Sequence, residues 1–70
     1  MEKLTQSQLL ALHIKILEYN EDVKYLRQGQ LTMNALFHVS PEMYNAITGT
    51  DADCFYDDKK LHAFWKRVTP

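Results

Sequence analysis

Four side chains could ligate a soft metal: His13, His38, His62 and Cys54. No two of them stand at a C-x-x-C or H-x-x-x-H spacing, so the sequence assembles no local site, and no metal or other cofactor is expected. The acidic run Asp51-Ala52-Asp53-Cys54-Phe55-Tyr56-Asp57-Asp58 is the next candidate. It opens like a calcium loop. It then puts Phe55 where a ligand oxygen belongs, Tyr56 where the bend needs glycine, and His62 where a bidentate glutamate closes the site. Helix capping and a solvated acidic patch account for the same carboxylates. Hydrolytic chemistry needs a nucleophile, a base and a concave pocket. Ser7 and Ser40 stand at expected helix starts, and Glu18, Glu21 and Asp22 fall on or near the polar face of a helix. No glycine-rich elbow or phosphate loop is present, so no catalytic residue is assigned and a non-enzyme is expected.

Nucleic-acid binding has more to work with. Lys59, Lys60, Lys66 and Arg67 lie opposite the apolar stripe Leu61, Phe64, Trp65 and Val68 of one helix. Upstream, Met33, Phe37, Val39, Tyr44 and Ile47 take spacings similar to those of helix-turn-helix proteins, with Ser40 near the turn. Asn34 departs from that pattern where a small alanine is usual, and His38 where glycine makes the turn. The would-be reading helix, Pro41 to Thr48, offers only Glu42, Asn45 and Thr48. Phosphate contacts supply most DNA affinity, so a helix without a cation is a poor start. A DNA-binding regulator using Asn45, Lys59, Lys60, Lys66 and Arg67 therefore stands as the alternative reading.

These residues must be positioned by one small domain. The chain has 70 residues, a net charge of -1 and 46% hydrophobic residues. That balance suits a folded protein and argues against one built to coat nucleic acid or an anionic membrane. The single cysteine leaves no disulfide framework and fits a reducing compartment. The opening Met1-Glu2-Lys3-Leu4-Thr5-Gln6 lacks the pattern of a leader, and the longest apolar run, Leu9 to Leu12, falls far short of the ~20 residues of a membrane span. A cytoplasmic protein without membrane contact is the expectation.

Thr5 and Gln8 form a capping box, and Leu4 and Leu9 the positions of a hydrophobic staple. The helix they open is expected to run to about Gln28, with Gly29 as its left-handed stop. From 30 to 39 the sequence alternates like a strand at Leu31, Met33, Ala35, Phe37 and Val39. A lone strand has nothing to pair with, so a helix is favoured. Ser40-Pro41-Glu42 restarts a helix that ends at Gly49, and Asp57 or Asp58 opens the last one. The fold class is all-α: one long N-terminal helix packed by three shorter helices.

That first helix carries too much apolar surface. Leu9, Leu12, Ile16, Tyr19, Val23 and Leu26 follow a seven-residue repeat, and Leu10, Ile14 and Leu17 form a second strip beside them. The short helices could straddle the long one and cover both strips. The favoured reading is that one strip meets a protein partner, most economically a second copy. The interaction residues are then Leu10, Ile14, Leu17, Ile16, Tyr19 and Val23, with His13, Asn20 and Lys24 as a polar line that sets register. Phe55, Tyr56, Phe64 and Trp65 add aromatics of the kind found in binding hot spots. The sequence thus points to a small interaction module of inhibitor or adaptor type, a role familiar among phage and mobile-element proteins.

Overall fold

A computed structural model describes residues 3–22 and 26–70. It contains four helices, α1 (Gln6–Asp22), α2 (Gln28–Val39), α3 (Pro41–Ile47) and α4 (Leu61–Val68), the last entered through a single 3-10 turn, Asp58–Lys60. No strand occurs among the described residues. The all-α fold with its longest helix first is as expected.

The capping box closes reciprocally at the start of α1. The Gln8 backbone N–H donates to Thr5 Oγ1 (3.1 Å), and the Thr5 N–H donates to Gln8 Oε1 (2.9 Å). At the staple positions, Leu4 is buried and Leu9 packs against the core. The Leu4 N–H donates to the Val68 carbonyl (3.0 Å), which ties the segment before α1 to the end of α4.

The junction after α1 differs from expectation. α1 is described as Gln6–Asp22, and the helix does not run on to Gln28, where α2 has already begun. Between them Leu26 lies in a bend and Arg27 is extended (φ -69°, ψ 157°). Val23 and Lys24, expected on α1, lie outside the described residues. Gly29 is not a left-handed stop. It is buried in the first turn of α2, and the only positive-φ glycine is Gly49.

The cause is tertiary. The loop before α4 docks on this turn: Arg27 Nη2 donates to the Phe55 carbonyl, and the Gly29 N–H donates to Asp58 Oδ1 (2.9 Å). A Cβ on residue 29 would stand 2.1 Å from the Cys54 carbonyl oxygen. Glycine is there for closeness of approach.

The most deeply buried element is α2. Leu31, Thr32, Met33, Ala35 and Leu36 are all buried. A helix covered around most of its circumference loses the periodicity of a single face, which explains why this segment alternates like a strand. α1 lies along one side of α2 and α3 along another. The core is completed by Leu12 from α1, Met43 and Ile47 from α3, Phe64 and Val68 from α4, and Ala52 and Cys54 from the loop.

α3 starts where the sequence says. Ser40 Oγ accepts the Met43 N–H (3.2 Å), Pro41 takes the first turn, and Gly49 at φ +81° follows the helix. The acidic loop is held by its own carboxylates. Asp53 accepts the N–H groups of Gly49 (2.8 Å) and Phe55 (3.0 Å), and Asp57 caps the 3-10 turn through Lys59 N–H (3.0 Å).

Candidate interaction face

α1 separates its two apolar strips by burial. Leu12 is wholly buried, and Leu9, Ile16 and Tyr19 pack against the core beside it. Leu10, Ile14 and Leu17 emerge on the far side at 63%, 49% and 65% exposure. At ~100° per residue these three and Glu21 fall within about 60° of one another, opposite Leu12. Among the described residues, the second strip stays largely uncovered.

Of the expected interaction residues, Leu10, Ile14 and Leu17 therefore come together on one open surface. Ile16 and Tyr19 do not join them, being half-buried against the domain's own core. Val23 lies outside the described residues. The polar line is engaged internally: His13 stacks on Trp65 with ring centroids 4.9 Å apart and planes 7° from parallel, and Asn20 Oδ1 accepts the Gln28 side-chain amide (2.8 Å). Lys24, the third member, is not among the described residues. Lys15 pairs with Glu18 (3.1 Å) on the flank of the helix.

The aromatic cluster divides in the same way. Phe64 is core, Trp65 and Phe55 are half-buried, and only Tyr56 stands clear. A further exposed aromatic lies outside that cluster. Phe37 is 51% exposed on α2 and lies edge-on to Tyr44, with centroids 5.2 Å apart. No sequence signal singles it out, because α2 is buried around most of its circumference and carries no single apolar face.

The basic residues divide between two successive elements. Lys59 and Lys60 sit in the 3-10 turn, and Lys66 and Arg67 in the last turn of α4. Lys66 and Arg67 border an open groove of about 470 Å³ together with Lys3, Ala46 and Asp51. Lys3 Nζ donates to the Lys66 carbonyl (3.2 Å) there. Asn45 is exposed on α3, which has no lysine or arginine and is joined to α2 through Ser40 alone.

No activated nucleophile is apparent among the described residues. Cys54 is fully buried, its thiol directed at the Gly29 carbonyl (3.5 Å). Burial pushes its pKa up to about 11, an effect partly offset by a backbone hydrogen bond and reinforced by the Asp53 and Asp58 carboxylates. A thiol so placed is protonated at neutral pH and inert. Among the described residues no three histidine, cysteine, aspartate or glutamate side chains converge as a metal-binding group. No described helix is long and apolar enough to cross a membrane. Comparison with protein-family models, with curated proteins and with solved structures finds no match to this chain.

Proposed function

We propose that this chain is a non-enzymatic protein-interaction module, of inhibitor or adaptor type, that acts by laying the outer face of α1 against an apolar protein surface. One observation carries the reading: Leu10, Ile14 and Leu17 share an exposed face while Leu12 opposite them is fully buried. Each large aliphatic side chain left in water forgoes up to roughly 1.5–3 kcal/mol of burial, a sizeable share of a small domain's stability. Three large aliphatic side chains exposed side by side support reading this face as a contact site. A homodimer through α1 is one form of that contact, and control of a larger macromolecule the other.

Position-specific photo-crosslinking in the native host tests this. A photoreactive amino acid at Leu17 should capture protein, either a second copy or a foreign chain, whereas the same group at exposed Glu42 on α3 should not. Equal, negligible capture at both positions would refute the reading. DNA binding keeps a claim through the exposed Lys59, Lys60 and Lys66. Duplex affinity that collapses as salt rises would support it, and no binding at low salt would remove it.

A further inference from the structure

We infer that the occupant of the α1 face is a second copy of this chain, packed antiparallel about a two-fold axis beside Ile14. The inference rests on the interaction reading above and adds the partner and its direction.

The spacing of the strip is nearly symmetric. With the axis between residues 13 and 14, Leu10 of one copy meets Leu17 of the other, and the two Ile14 side chains flank the axis together. The same surface then serves both copies, as a two-fold interface requires.

Charge decides the direction. α1 has no acidic residue in its first turn and no basic residue in its last, so its positive N-terminal dipole end lacks a countercharge of its own. Its acids, Glu18, Glu21 and Asp22, gather at the C-terminal end. In the antiparallel register Glu21 lies beside Gln6 of the other copy, whose amide can donate to it, near that helix's positive end. A parallel pair at the same face would set Glu21 directly against Glu21, and like charges so placed repel. The complement that α1 lacks is thus supplied by its own far end, in one orientation only.

The test uses the full chain in solution. Sedimentation over roughly 10 μM to 1 mM should show two chains at the upper end. Ile14→Glu and Leu17→Glu should each weaken association roughly tenfold or more, because a carboxylate is forced against an apolar surface. Both positions are exposed, so circular dichroism should show the helices intact. Direction is read by cross-linking: Gln6→Cys and Glu21→Cys variants, one isotopically labelled, are mixed and treated briefly with a short bismaleimide. Cys54 is buried and stays unmodified. Mixed-mass dimers linking position 6 to position 21, with little product from either variant alone, are expected. Products from each variant alone would overturn the antiparallel arrangement, and a monomer at every concentration would overturn the second copy as occupant. In the latter case capture of a foreign chain at Leu17 in the host would leave the interaction reading standing, and absence of any capture would end both.

Discussion

Replacing Gly29 by alanine sets two expectations of opposite sign against each other. Helix propensity favours alanine by up to about 1 kcal/mol, and the residue lies in α2 without a positive φ. On local grounds Gly29→Ala should stabilise. The docked loop says otherwise. The new methyl would stand 2.1 Å from the Cys54 carbonyl oxygen and 2.8 Å from Asp58 Oδ1, where ordinary contacts begin at 3.4 Å. The nearer atom belongs to the backbone, so the loop must retreat by more than an ångström.

Retreat loosens the hydrogen bond from Gly29 N–H to the Asp58 carboxylate, a charged bond worth about 1.5–3 kcal/mol. The Arg27 contact to Phe55 O and the Cys54 thiol contact to Gly29 O belong to the same docking and weaken with it. After the propensity gain, a net loss of about 2 kcal/mol remains. For a domain of this size that lowers Tm by roughly 8–16 °C. Urea unfolding followed by circular dichroism, with a thermal scan beside it, measures both. A variant as stable as the parent would show that the loop does not press on α2 as described.

Two further outcomes follow from burial. Leu12→Ala empties a fully buried site and should cost about 2–5 kcal/mol, whereas Leu10→Ala, 63% exposed, should cost under about 1 kcal/mol in dilute solution, as urea unfolding of the pair would show. For Cys54 the folded thiol titrates near 11 against 9.0 for the free group, so the unfolded chain gives up its proton first. That contribution to stability is complete below about pH 9 and is lost as pH rises toward about 11. The unfolding free energy measured from pH 8 to 11 should therefore fall more steeply for the parent than for Cys54→Ala; parallel curves would contradict the assignment.

The helix ends that sequence made legible are those with local chemistry. Thr5 with Gln8, and Ser40 with Pro41, carry their caps within a few residues, and both helices begin where those residues stand. The two strips of α1 were equally plain, because apolar spacing survives without knowledge of neighbours. Which strip turns inward was not, since Leu12 and Leu10 differ only in what later helices bring to them. The break before α2 was invisible for a related reason. No glycine or proline stands between Asp22 and Gln28, and the heptad runs on through Val23 and Leu26. What bends Arg27 out of the helix comes from Phe55 and Asp58, some thirty positions away. Asp58 read from sequence as a start for the last helix, and it also braces the start of α2.

The bond from Leu4 to the Val68 carbonyl has a use in rearranging the molecule. Segments that open and close the fold already lie side by side, so a short peptide could join them into a ring. New ends could then be cut at Gly49, around which a Cβ would meet nothing within 4 Å. Such a circular permutant keeps all four helices whole. It makes the α4-to-α1 closure, now the most distant pairing along the chain, into a neighbouring one.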